Sequence, residues 1–250
     1  MQDYTSKTLF VGIDVHKKAY VIACICEGEL VKKTTLPSNP QGLITFLIRH
    51  FKDAQIKTVY EAGLTGFVLH RQLIDAGIDN IVINPASIEV AANNRVKTDQ
   101  RDALKMAQQL SAHRLEGIYI PEPEQEAQRC VTRHRNQLVT DRAKCVNRIK
   151  SLLTLQGLLT VDLDRAASLQ WIQEVKNLTC HEELAFTLGS LCQQWTQLSE
   201  QITLCDQRIK QQAKTHQALH SLYTSVPGIG MLNAQVLINE IGNMQQFNRF

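Results

Sequence analysis

A mixed α/β sheet carrying helices on its faces, continued by a long helical region, is the fold class that the sequence predicts. Three observations point to it. Apolar runs of strand length alternate with helical patterns over residues 8–115. Pro121 and Pro123 then mark a change of character. Beyond them, apolar residues recur at sevens and at alternating gaps of four and three.

Taken in order, residues 8–36 read as two strands, a run over 9–26 and a second over 30–35, joined by a Glu27-Gly28-Glu29 turn. Ser38-Asn39-Pro40 is a helix start leading through Leu43, Phe46, Leu47, His50 and Phe51. Lys57-Thr58-Val59-Tyr60-Glu61 reads as a strand, and 66–76 as a helix with Gly77 in the stop position. Residues 78–85 read as a buried strand, with a further helix after Ser87. Paired strands followed by β–α–β alternation give a mixed sheet.

From 124 to 155 the pattern is helical, with Val131, Leu138, Cys145 and Leu152 seven apart. A looser polar stretch, 156–178, follows. Leu184, Leu188, Leu191, Trp195, Leu198, Ile202, Cys205 and Ile209 then form an a/d seam of coiled-coil type. Two arrangements satisfy it: an internal hairpin with the 124–155 helix, or a projecting arm that joins protomers into a homo-oligomer. Residues 225–238 have the look of one helix-hairpin-helix unit. Its Gly228-Ile229-Gly230 turn would leave backbone N–H groups open at a helix N-terminus, a seat for phosphate. The expected domains are 8–115, 122–215 and 222–250.

Composition excludes several classes. With 44% hydrophobic and 20% charged residues, the chain is globular rather than disordered. No apolar run approaches the roughly 18 residues that span a bilayer, and the first residues do not read as a signal peptide, so no membrane partner is expected. Seven cysteines without a Cys-x-x-Cys pair suit reduced thiols in a cytoplasmic protein. A net charge of +3 is too mild to name a partner.

Four carboxylates carry most of the functional signal. Asp14 and Glu61 end or interrupt strand-like runs, and Asp99 and Asp102 stand three apart at the start of a helical pattern. Singly, each has an ordinary reading as a solvated, capping or helix-dipole charge. Jointly, on two strand ends and one helix face, they suit two hard divalent cations, Mg²⁺ or Mn²⁺, clamping a phosphodiester. His16, Lys17 and Lys18 follow Asp14, and Lys97 and Arg101 flank the helical pair, as phosphate contacts or solvated surface. On the 124–155 helix, Arg129, Arg133, Lys144 and Arg148 fall within about 100° of one another, a stripe able to follow a nucleic-acid backbone.

Gly12-Ile13-Asp14-Val15-His16-Lys17, Tyr60-Glu61-Ala62-Gly63, Lys97-Thr98-Asp99-Gln100-Arg101-Asp102-Ala103 and Val226-Pro227-Gly228-Ile229-Gly230 stand in that order. In this the chain resembles the DEDD insertion-sequence transposases related to the Piv DNA invertases. The resemblance implies a RuvC-like, RNase H-type first domain with Asp14, Glu61, Asp99 and Asp102 as its catalytic, metal-binding tetrad. It further implies a coiled-coil linker and a C-terminal transposase domain. DNA is the expected partner, joined in some members by a structured guide RNA. The family's C-terminal domain contributes a serine nucleophile. No serine follows Ser225, so none is carried over, and a C-terminally short copy is expected. A RuvC-like structure-specific nuclease and a non-catalytic nucleic-acid-binding fragment are the alternatives.

Overall fold

The apolar run over 9–26 does not continue as one strand. It folds back at His16-Lys17-Lys18, where three consecutive polar side chains leave the sheet and His16 N–H donates to the Ala19 carbonyl at 2.9 Å. Two strands result, β1 (Thr8–Val15) and β2 (Ala19–Cys26). Periodicity missed the break because both halves are equally apolar. β3 (Glu29–Pro37) follows across the Glu27-Gly28 turn, whose residues both take positive φ.

The computed structural model describes residues 3–63, 65–87 and 99–242. Within the first of two units, Met1–Ile120, α1 (Pro40–His50) starts where expected. The Asn39 side chain accepts from Gln41 N–H at 3.1 Å, with Pro40 in the first turn. β4 (Gln55–Glu61), α2 (Val68–Asp75) and β5 (Asp79–Ile83) complete the alternation. Gly77 stops α2 at φ +75°, a backbone conformation that side chains with a Cβ resist. The helix expected directly after Ser87 lies outside the described residues. The next described helix is α3 (Asp99–Ser111).

The sheet is mixed, in the order β3-β2-β1-β4-β5. β1–β2 and β2–β3 are antiparallel, whereas β1–β4 and β4–β5 are parallel. One face, carrying Leu9, Val11, Ile13, Ile22, Tyr60 and Val82, packs against Leu43 and Leu47 of α1 and Leu69 and Leu73 of α2. The other face meets α3. There Ala103 joins Val21 and Ala23, and Met106 joins Val59 and Ile83. Cys24 and Cys26 are core residues, and burial pushes the Cys24 thiol up to about 12, so it stays protonated and unreactive.

The second unit, Pro121–Phe250, is helical. α4 (Pro123–Leu155) and α6 (Glu182–Thr215) run antiparallel along each other. Arg135 pairs with Asp206, Arg142 reaches Ser199, and Cys145 meets the Leu191 carbonyl. Leu188, Trp195, Ile202 and Ile209, seven apart, are buried in this pairing. Half of the seam is thus satisfied within one chain. The stretch read as loose holds a short helix, α5 (Leu169–Lys176), whose Trp171 and Ile172 close the end of the hairpin. α7 (Gln217–Thr224) and α8 (Met231–Ile241) follow. Among the described residues, no helix is long and apolar enough to cross a membrane.

One buried network in the first unit is sensitive to pH. The Thr58 hydroxyl lies 2.7 Å from Asn80 Oδ1, and Asn80 Nδ2 donates to His70 Nδ1 at 2.8 Å. His70 must be neutral to accept. Burial, helped by Arg71, lowers its pKa from the ordinary 6.5. The unfolded chain therefore takes up the proton first, and stability falls as pH drops below about 6.5 through the folded value. A urea midpoint lower at pH 5.5 than at pH 7.5, with the difference reduced in His70→Gln, is the expected result.

Candidate functional site

Which residues gather at one edge of the sheet follows from Gly12. A Cβ at this position would press into the Ala103 carbonyl oxygen and stand 2.7 Å from Ala107 N, so α3 lies almost on the β1 backbone. The approach needs glycine on the strand and alanines one turn apart on the helix. Direction follows from the neighbours of β1: Ala103 and Ala107 lie at Gly12, while His113, beyond the helix end, stacks edge-on to Phe10 at 6.3 Å. α3 therefore runs opposite to β1, and its N-terminus lies toward the C-terminal end of the strand.

Register then places the carboxylates. Gly12 pairs with Val59 across the parallel β1–β4 ladder. Two residues further on, about 6.6 Å along each strand, stand Asp14 and Glu61 on the α3 face. Ala103 sits on Gly12, and Met106 packs on Val59. One helical turn earlier, about 6 Å along α3, are the positions of Asp99 and Asp102. All four expected positions thus occupy one end of one sheet–helix interface: Asp99 in line with β1, Asp102 in line with β4. Among the described residues no three His, Cys, Asp or Glu side chains come close enough together to hold an ion, and the Asp99 side chain is not among those described.

The Asp14 carboxylate is about one-fifth exposed, and its Oδ2 accepts from His16 Nε2–H at 3.1 Å. His16, Lys17 and Lys18 are all exposed at the hairpin tip. Lys97, expected as a flanking cation, lies outside the described residues.

The basic stripe of α4 is divided. Arg129 donates from Nε to the Asn239 carbonyl at 2.7 Å and from Nη2 to the Glu240 carbonyl at 2.8 Å, and its side chain is only 12% exposed. It caps the C-terminus of α8 instead of facing outward. Arg133 grips the Glu240 carboxylate through two bonds of 2.8 and 2.7 Å. That contact raises the Arg133 pKa and lowers that of Glu240. Further along the same face, Lys144 and Arg148 remain exposed, Lys144 with Asp141 at 3.4 Å. α8 covers Arg129 alone; Arg133, though paired with Glu240, stays 64% exposed, as Lys144 and Arg148 do.

A polar ladder completes the docking of α8. His220 Nε2–H donates to Gln235 Oε1 at 2.8 Å, Gln235 to Asn239 Oδ1 at 2.7 Å, and Asn239 Nδ2 to the Gln128 carbonyl at 3.2 Å. Sequence reading missed these residues. Their signal, polar side chains four apart on an otherwise apolar α8, is also that of a solvated face. Between α7 and α8, Gly228 has φ +90° and Gly230 precedes the first turn of α8, with nothing within 4 Å of where their Cβ atoms would lie. The space beside both glycines is open, but the Ile229 N–H between them is taken by the Val226 carbonyl at 3.1 Å.

Residues 11–156 match the family model of IS110-type DEDD transposases. The chain is 25% identical over 247 residues to the transposase for insertion sequence element IS1533 of Leptospira borgpetersenii, covering 96% of this chain and 71% of that one. It is 24% identical over 248 residues to the transposase for insertion sequence element IS1111A of Coxiella burnetii, covering 96% and 65%. To the y4rJ protein of Sinorhizobium fredii it is 29% identical over 167 residues, covering 60% of this chain and 42% of that one. The last two relatives are matched over less than two thirds of their length.

Gly12→Ala is expected to destabilise the first unit by about 3 kcal/mol, the upper end of overpacking costs, because backbone blocks the new methyl; denaturant unfolding measures it. Arg129→Met should cost about 1.5–3 kcal/mol through lost charged hydrogen bonds, whereas Arg148→Met should stay within about 0.5 kcal/mol. Paired urea titrations separate the capping arginine from the exposed one.

Proposed function

Since the chain belongs to the IS110-type DEDD transposase family, we propose that it is the recombinase of a mobile insertion sequence, acting on DNA through metal-dependent phosphodiester chemistry at Asp14, Glu61, Asp99 and Asp102. The observation that supports this reading is that the four positions lie toward the same end of the β1–β4–α3 interface, where Gly12 lets α3 approach through Ala103 and Ala107. A sheet opening with antiparallel strands and continuing with parallel ones, with its acidic residues at the strand ends, supports the RuvC-like, RNase H-type assignment.

The donor set fits Mg²⁺ or Mn²⁺. Carboxylate oxygens are the hard ligands such ions prefer, and the buried Cys24 on the neighbouring strand points to the opposite face, away from the carboxylates. Asp14, Glu61, Asp99 and Asp102 would hold the ions, which when bound neutralise phosphate charge and activate the attacking oxygen. The protein's contribution is rigidity. Asp14 and Glu61 are carried by adjacent hydrogen-bonded strands, and Asp102 by a helix that cannot slide without driving Ala103 into β1.

Nucleic acid, DNA and in some members of the family a guide RNA, would meet the second unit along Lys144 and Arg148 and at the open Gly228–Gly230 turn. Arg129 is assigned to structure by its burial. Association of copies has support in the large apolar residues that the hairpin leaves exposed at its closed end, Leu155, Val161, Leu169 and Phe186.

Asp14→Asn and Asp102→Asn are each expected to abolish Mg²⁺- or Mn²⁺-dependent cleavage of terminal-junction DNA while circular dichroism and DNA binding stay unchanged. Full activity in both variants overturns the tetrad. Lys144→Ala with Arg148→Ala should weaken binding to all DNA sequences alike and flatten the log K against log[salt] slope by about 0.9 per lost phosphate contact. An unaltered slope returns this face of α4 to plain solvated surface.

A further inference from the structure

We infer that His16 is a positioning residue for Asp14, holding that carboxylate in the orientation in which it takes a divalent cation. This rests on the metal-centre reading above and extends it to a residue outside the four carboxylates.

The turn after β1 sets up the contact. Gly12 and Asp14 are alternate residues on the α3 face of β1, and His16 is the first residue past the strand, two beyond the carboxylate, from where its ring turns back onto it. His16 Nε2 stands 3.1 Å from Asp14 Oδ2. A carboxylate only accepts, so the ring nitrogen carries the proton and donates it. Tying Oδ2 to a ring narrows the orientations open to the carboxylate before any cation arrives. Ligating carboxylates are commonly held in this way by an outer hydrogen bond, and removing the partner typically costs 10–100-fold in metal affinity. The proton stays on Nε2, and no bond is made or broken.

The hairpin does not depend on this contact. Its turn is closed by backbone, His16 N–H to the Ala19 carbonyl at 2.9 Å and Ser38 N–H to the Lys18 carbonyl at 3.1 Å. The His16 side chain is 45% exposed, more than twice the 21% of Asp14. A ring contributing only to packing would be covered. Replacing the ring therefore removes the hydrogen bond and leaves the fold.

The test is Mn²⁺ binding to the full chain, followed by the electron paramagnetic resonance signal of free Mn²⁺ and by calorimetry, with circular dichroism as the folding control. His16→Ala is expected to weaken binding by about 10–100-fold. His16→Gln, whose amide can donate to Asp14, is expected to recover most of it. His16→Asn, polar but shorter, should behave like alanine and stands in for it should His16→Ala fail to fold. Undiminished binding in both His16→Ala and His16→Asn, beside loss in Asp14→Asn, overturns the inference and leaves the metal centre standing. Equal loss in His16→Ala and His16→Gln also overturns it, making the ring a ligand in its own right. If the native chain binds Mn²⁺ no better than Asp14→Asn, the metal-centre reading fails, and this inference with it.

Discussion

The contact on which the rest of the first unit depends is backbone against backbone, with almost no side chain in it. At Gly12 the strand has no Cβ, and α3 settles onto it through Ala103 and Ala107. Large residues there would force the helix outward by the thickness of a side chain. The acidic start of α3 would then stand off from the strand ends, and carboxylates on two elements would not share one edge. Interiors are packed too tightly to absorb such a shift elsewhere. The apolar flanks of the contact, Val21 and Ala23 on one side and Val59, Ile83 and Met106 on the other, fix the rotation of the helix about its axis. That rotation decides which helix residues lie over β1 and which over β4.

The second unit solves a different problem, that of fastening a short helical hairpin to a long one. Apolar contact joins α4 to α6, but α8 is held mainly by polar groups: the His220–Gln235–Asn239 ladder, the Arg129 cap and the Arg133–Glu240 pair. Buried polar groups are tolerated only when each finds a partner. Here the partners come from backbone carbonyls of α4 and α8 and from side chains four apart. Such a ladder works in a single alignment, so α8 is tied to one position along α4.

Much of the fold could be read along the chain. Asn39-Pro40 starts α1 and Gly77 ends α2 because capping chemistry is local. Glu61 closes β4, and Asp99 and Asp102 lie in the first turn of α3 as their spacing implied. The β1–β2 break was hidden, since apolar strands on either side of a three-residue turn look continuous when only hydrophobicity is followed. The four carboxylates of the candidate site stood out because acidic residues at two strand ends and grouped at one helix start are poor packing choices. His16 was visible beside them, yet nothing in one dimension separates a ring that reaches back from one that faces water.

The sequence by itself determined the alternation of elements, the acidic positions, the membership of a transposase family and the heptad pattern of α6, since each is a property of composition and spacing. Only the tertiary structure decided that the seam residues Leu188, Trp195, Ile202 and Ile209 are buried against α4 of the same chain. It also divided the basic stripe, turning Arg129 and Arg133 onto α8 and leaving Lys144 and Arg148 exposed. The reason is physical. A periodic pattern states which face of a helix is apolar or charged, but the partner for that face is chosen by packing between residues far apart in the chain.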